Sequence, residues 1–171
     1  MKNNMVIALE IEEIGIRPIG IIHSPYKQSP GTPIQPESGR DVEARVELLP
    51  EFTPGLRDLE GFSHIILLYL FHRSGETRLV VKPFLDDAER GVFSTRAPVR
   101  PNHIGMSVVR LERIEGNILY IKDLDIVDGT PLLDIKPHIP RIDCPGATRT
   151  GWLQGRDEGF KRSRDDGHFQ T

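Results

Sequence analysis

Disulfides are the first thing this chain lacks: Cys144 is the only cysteine in 171 residues, so no intrachain bridge can form. That excludes a disulfide-stapled secreted scaffold and makes a reducing, cytoplasmic setting the expectation. Long apolar runs are missing too. The longest, "IILLYLF" at 65–71, is far shorter than the roughly 20 residues that cross a bilayer, so no membrane partner is expected. The opening "MKNNMVIALEIEEIG" carries Glu10, Glu12 and Glu13 and has no apolar core or cleavage signature of a signal peptide. Nor is there an excess of positive charge. The net charge is -3 and the pI about 6.1, so any RNA contact rests on a local patch rather than on a global field.

Several chemical signatures are also absent. "GIRPIGII" has the glycine spacing of a phosphate loop but carries Ile21 and Ile22 where Lys and Ser or Thr are required, and no dinucleotide fingerprint follows a strand. The six histidines are scattered, with neither H-E-x-x-H nor Cys-x-x-Cys to hold zinc. His64 and His72 share a strand face by parity, yet a spacing of eight residues puts them roughly 26 Å apart at about 3.3 Å per residue. No metal is expected. Cys144 precedes Pro145 with no helix N-terminus to activate it, and no G-x-S-x-G elbow exists, so covalent catalysis has no support.

What the chain does have is short apolar runs rich in Val, Ile, Tyr and Phe, punctuated by Pro and Gly. They predict strands near 16–22, 44–49, 63–72, 78–84, 91–96, 105–115 and 118–127. Gly116-Asn117 between the last two reads as a two-residue hairpin turn. Helix is scarce: "TPGLRDLEG" at 53–61 has Thr53 to cap, Pro54 at the first helical position and Gly61 as a stop. Strands at this spacing predict a mainly β fold, a small closed or partly closed barrel with few short helices. A single domain is expected over 15–142. Residues 143–171, rich in Gly, Arg and Asp with Trp152 and Phe160 as their large anchors, read as a loosely packed C-terminal tail.

Three stretches carry chemistry. In "STRAPVRPN", Pro98 and Pro101 push Ala97 and Arg100 toward extended backbone and hold Arg96 and Arg100 in a narrow range of positions. Such guanidinium groups suit a carboxylate, a phosphate or an aromatic base; they equally suit pairing with surface acids. "KDLDIVDGTPLLDIKP" at 122–137 sets Asp123, Asp125, Asp128 and Asp134 around a turn, either as acceptors for a ribose or an amine or as turn caps. Their spacing does not meet the calcium-loop pattern. The long Pro, Ser and Gly rich connection containing "PIQPESG" is of a length that is usually functional or mobile, and "YLFHRSGE" puts His72 and Arg73 at a strand end.

"HSPYK" at 23–27, "DLEGFSHIILLYLFHR" at 58–73, "GVFSTRAPVRPNHIGMSVVRL" at 91–111 and "LDIVDGTPLLDIKPHIP" at 124–140 together resemble the TrmO family, also called TsaA-like or YaeB-like, over roughly residues 15–142 and in collinear order. The resemblance implies a β-barrel methyltransferase that uses S-adenosyl-L-methionine, outside the Rossmann and knotted classes. It implies methylation of the exocyclic N6 of threonylcarbamoyladenosine beside the anticodon of a tRNA substrate, by a homodimer. Matched by position, the cofactor contacts fall on Pro33, Ile34, Gln35, His72, Arg73, Arg96, Met106, Asp125, Ile126, Val127 and Asp128. Arg100 would meet the anionic substrate, and Asp128 the exocyclic N–H as hydrogen-bond or proton acceptor. This chain departs from the family pattern at His103, in "RPNHIG" where R-P-N-P-I-G is usual, which is expected to free the loop at that point and alter its edge of the pocket; a C-terminal extension expected from several bacterial relatives has no counterpart in this sequence, which bears on substrate handling. Two further readings stand beside this one: methyl transfer to another RNA or a small molecule, and a barrel that binds nucleic acid or a ligand without catalysis.

Overall fold

The computed structural model describes residues 14–146, 149–155 and 164–170. Side-chain alternation decides the architecture. In β3 (His64–Leu70) every second residue is buried, and the same period of two runs through β1 (Gly20–His23), β2 (Ala44–Leu48), the first half of β6 (Ile104–Glu115) and β7 (Ile118–Lys122). One face of each strand therefore points inward. With β8 (Thr130–Pro137), these strands close an antiparallel barrel in the order β1-β2-β7-β6-β3-β8. Ile22, Val46, Ile65, Leu67, Val109, Leu119, Ile121 and Leu132 fill it, each essentially without solvent exposure. The barrel is thus a packed core, and its own sheet closes on itself without a free edge.

The β6–β7 hairpin turns at Gly116-Asn117, where Gly116 has a φ of +60° that a side chain resists, and Asn117 Nδ2 donates to Leu48 O at 2.6 Å. β7 stops at Lys122, five residues before the predicted end, because Asp123 enters the left-handed region with φ +65°. β8 was not expected. Pro131, Asp134, Lys136 and Pro137 obscure its alternation, and it is held by pairing with both β1 and β3. The strands expected at 78–84 and 91–96 shrink to a two-residue pair, β4 (Val80–Val81) with β5 (Arg90–Gly91). Residues 53–61 form 3-10 turns at Pro50–Leu56 and Leu59–Gly61. Thr53 does not cap them: the first turn starts three residues earlier, at Pro50, after extended Leu49.

The excursion between β3 and β6 builds a second small core of Val81, Val92, Ala97, Val99 and Phe169, with Phe84 against it. Phe169 belongs to the segment read as a tail, and it is only 3% exposed. Gly31 N–H donates to Asp165 O at 2.8 Å, Asp165 N–H to Thr32 O at 2.9 Å and Gly75 N–H to Phe169 O at 3.0 Å, so residues 164–170 lie along the loops beside the barrel. Phe160 lies outside the described residues. Among the described residues, no helix is long and apolar enough to cross a membrane.

Candidate active site

A cavity of about 890 Å³ opens beside the barrel, where the C-terminal end of β3, the start of β6 and the β7–β8 connection meet the β3–β6 excursion. That volume is near the upper end for small-molecule sites. Its wall contains Pro33, Ile34, Gln35, His72, Arg73, Arg96, Arg100, Met106, Asp125, Ile126 and Val127, so residues from four distant stretches converge on one space. Asp128 alone among the candidate residues is not part of that wall.

The proline-stiffened loop positions its arginines by different means. Arg100 turns back on its own loop, its Nη1 donating to Thr95 O at 3.2 Å and Ala97 O at 3.3 Å. Arg96 is exposed and reaches across to Gln35, Nη1 to Oε1 at 3.3 Å. Arg73 Nη1 donates to Lys27 O at 2.6 Å, tying the end of β3 to the "HSPYK" turn. His103 takes a φ of +47°, which the proline usual at this point of the family pattern cannot adopt; its N–H donates to Arg100 O at 3.0 Å and its carbonyl accepts from Phe71 N–H at 2.8 Å. The loop is therefore pinned at that point by two backbone hydrogen bonds, not freed as the loss of the proline led one to expect.

The four aspartates of 122–137 take separate tasks. Asp123 accepts from Asp41 N–H at 2.7 Å and pairs with Arg110 at 3.3 Å. Asp134 pairs with Lys136 at 2.7 Å. Asp128 accepts from Ser24 N–H at 2.9 Å and from Lys27 Nζ at 2.8 Å, and these bonds hold its carboxyl below the usual carboxylate range, the Lys27 bond first. Asp125 faces the cavity. Ser107 Oγ donates to its Oδ1 at 2.6 Å, and burial pushes its pKa up to about 6 against the opposing pull of Ser107, its own backbone N–H and Arg96.

Behind Asp125, Tyr69 OH lies 3.0 Å from Ser107 Oγ. Since the Ser107 proton goes to the carboxylate, the tyrosine donates, and burial followed by the charge of Asp125 raises its pKa. The register Tyr69↔Gly105 makes this line possible: a Cβ on residue 105 would stand 2.2 Å from the Tyr69 ring. His72 Nδ1 is 3.3 Å from Thr130 Oγ1, whose own proton goes to Val127 O at 2.7 Å. Burial, with the adjacent Arg73 cation acting the same way, lowers the His72 pKa and so favours the neutral ring.

Sequence reasoning missed Tyr69, Phe84, Gly105, Trp152, Phe169 and Gln170 as wall residues, and Ser107 behind them. Trp152 carried a signal, as the only tryptophan and a large anchor in a polar stretch. Its Nε1 donates to Ser94 O at 2.8 Å, and Arg90 lies over its ring at 5.8 Å. The others sit on strands, in the turn after β4 (Phe84) or in a short terminal segment, where only tertiary packing brings them together.

The wall fits a sulfonium nucleoside such as S-adenosyl-L-methionine: three cationic side chains suit its carboxylate, Asp125 and neutral His72 suit its amine and hydroxyls, and Ile34, Met106, Ile126 and Phe84 suit its apolar surfaces.

Comparison with known proteins points the same way. The model of the tRNA-methyltransferase O N-terminal domain matches residues 21–144. A probable S-adenosyl-L-methionine-binding protein of Pyrococcus abyssi is 54% identical over 153 residues, covering 90% of this chain and 83% of that protein. The mouse tRNA (adenine(37)-N6)-methyltransferase is 40% identical over 145 residues, covering 81% of this chain. This chain spans 34% of the length of that enzyme. The crystal structure of TrmO from Pseudomonas aeruginosa superposes with a TM-score of 0.70 at 39% identity, over 82% of this chain and 63% of that one.

Proposed function

The chain belongs to the tRNA-methyltransferase O family, and from that premise we propose that it methylates the exocyclic N6 of adenine 37 in tRNA, with S-adenosyl-L-methionine as donor. The observation that carries this reading is the convergence of Gln35, His72, Arg73, Arg96, Met106 and Asp125 on one cavity beside a filled barrel. Pro33 to Gln35, His72, Arg73, Arg96, Met106 and Asp125 to Val127 would hold the cofactor, while Asp128 serves from outside the wall by fixing the connection that carries Asp125. The bound cofactor supplies an already activated methyl group, so the chain's task is chiefly alignment, which is worth roughly 7 kcal/mol or more in well-oriented systems. Arg100, held against its own loop, would present its remaining donors to an anionic substrate.

The finer substrate in this proposal is threonylcarbamoyladenosine, whose carboxylate suits the arginine-rich rim. A site that hydrogen-bonds the added group leaves polar atoms unpaired when plain adenosine enters. The assay is incubation of the protein with labelled cofactor and tRNA transcripts with and without the threonylcarbamoyl group, followed by nucleoside analysis. Label in N6-methylated threonylcarbamoyladenosine alone is expected; equal rates on both transcripts refute the specificity. Label in another RNA, or none, moves the assignment to the other substrates or to binding alone, a reading kept alive by the Pyrococcus relative, which is named only for binding the cofactor.

We also propose a homodimer. Phe93, Leu79, Val80, Met106 and Ile104 are exposed, Phe93 by 76%, and Phe93, Met106 and Ile104 belong to the cavity wall, so a second copy would cover apolar surface at the site. Light scattering at micromolar concentration is expected to give twice the chain mass; the mass of one chain rejects the dimer.

A further inference from the structure

We infer that Asp125, held by Ser107 and Tyr69, accepts the proton that leaves the exocyclic N6–H as that nitrogen takes the methyl group; this rests on the proposed methyl transfer. The nitrogen requires such an acceptor. Its lone pair is delocalised into the purine ring and, in the threonylcarbamoyl adduct, into a carbonyl as well, so it gains nucleophilicity only as the N–H bond breaks. The balance is closed: the proton passes from nitrogen to the carboxylate, the N–C bond forms, the S–C bond breaks, and its electron pair stays on sulfur as a thioether.

The described cavity wall contains two carboxylates, Asp125 and Asp165. Asp165 Oδ1 is occupied by Gly167 N–H at 2.7 Å and its main chain pairs with Gly31 and Thr32, which gives it the C-terminal segment to hold. Asp128 is tied to Ser24 and Lys27 outside the wall. Asp125 lines the cavity with Ser107 on its Oδ1 and Tyr69 fixing the serine from behind, and its carboxylate is the acceptor. The charged and titratable groups around it are Arg96 from the loop, Tyr69 from β3 and Tyr26 from the first connection. A carboxylate poised at about 6 in that setting is ionised at neutral pH yet more basic than an exposed aspartate, which is the compromise a general base requires. His72 is the rival: with Nδ1–H donated to Thr130 Oγ1, its Nε2 is also an acceptor.

The experiment compares wild type, Asp125→Asn, Asp125→Glu, Ser107→Ala and His72→Asn. It measures single-turnover methyl transfer at saturating S-adenosyl-L-methionine from pH 5 to 9, calorimetric binding of S-adenosylhomocysteine, and the carboxyl-carbon NMR titration of Asp125. In the wild type the rate should fall tenfold per pH unit below about 6. Asp125→Asn should lose about 100-fold or more in rate at saturating S-adenosyl-L-methionine, well beyond any weakening of S-adenosylhomocysteine binding, and lose the acid limb. Asp125→Glu should recover part of the rate, Ser107→Ala should shift the limb to higher pH, and His72→Asn should keep it. A limb that survives in Asp125→Asn or vanishes in His72→Asn overturns the inference, as does a loss in Asp125→Asn accounted for entirely by weaker S-adenosylhomocysteine binding. The NMR arm needs no tRNA. An Asp125 titration at the ordinary carboxylate value overturns the base assignment, whereas a wild type that transfers no methyl to tRNA counts against the proposed function instead.

Discussion

Lys27 Nζ stands 2.8 Å from Asp128 Oδ2, while Ser24 N–H meets the other oxygen of the same carboxylate at 2.9 Å. With Asp128 N–H donating to Tyr26 O at 2.7 Å, this joins the turn after β1 to the connection before β8, more than a hundred positions apart. The connection carries Asp125 to Val127 into the cavity, so the clamp is a positioning device.

Asp128→Ala should therefore destabilise the fold by about 1–3 kcal/mol, mainly through the buried-side bond to Ser24. Lys27 is 68% exposed, and Lys27→Met should cost less than about 1 kcal/mol. The folded-state pKa of Asp128 is depressed, so its contribution is present above the ordinary carboxylate range and is lost as pH falls through and below it. Urea unfolding of wild type and Asp128→Asn checks this: the gap between the two should be full at pH 7 and shrink toward pH 3. A gap that grows on acidification contradicts the sign.

Gly105→Ala tests the wall behind Asp125. Tyr69 is 4% exposed and hydrogen-bonded, and the added Cβ would meet its ring at 2.2 Å, so backbone or ring must shift. A loss of about 1–3 kcal/mol is expected, with a lower melting temperature. Because Tyr69 steadies Ser107, the Asp125 titration should move as well. An unchanged melting temperature and titration would mean that the strands absorb the methyl group freely.

The barrel was legible because five of its six strands keep a period of two or an apolar run, and because Gly116-Asn117 is a turn that backbone geometry nearly dictates. β8 was not, since two prolines and two charges sit in a strand whose partners lie far away in sequence. In the site, the stiffened arginines and the aspartate turn stood out as local chemistry, and the residues that the resemblance proposes as cofactor contacts, from Pro33 to Asp128, all line the one cavity except Asp128. Sequence spacing did not sort the aspartates. Asp125 and Asp128 read alike, and only their partners, Ser107 at 2.6 Å in one case and Lys27 at 2.8 Å in the other, separate a cavity group from a clamp.

Arg96→Ala isolates the cofactor end of the site. The side chain is exposed, its distinctive partner is Gln35, and nothing in the barrel core rests on it. Its removal should weaken S-adenosyl-L-methionine binding by on the order of 1.5–3 kcal/mol if a charge-assisted bond is lost, with melting temperature little changed. Calorimetry decides: wild-type affinity in the variant removes Arg96 from the contact set, and no binding by the wild type at millimolar ligand removes the cofactor assignment.

Phe169→Ala should separate the cavity from the barrel. The phenylalanine is 3% exposed among Val81, Val92, Ala97 and Val99, a cluster distinct from the one that fills the barrel. Through it the 164–170 segment reaches the cavity wall at Asp165, Phe169 and Gln170. Truncating a buried Phe typically costs about 3–5 kcal/mol. Here the loss falls on a satellite core, so it should appear as local opening rather than global unfolding. Hydrogen exchange is expected to speed up at Gly31 and Gly75, whose amides donate to this segment, and at Asp165, whose amide donates from it to Thr32 O, while β3 and β6 keep their protection. S-adenosylhomocysteine binding should weaken in parallel. If instead protection falls equally in β3 and β6, the two cores unfold as one unit; if exchange at Gly31, Gly75 and Asp165 is unaffected, the segment is held without Phe169.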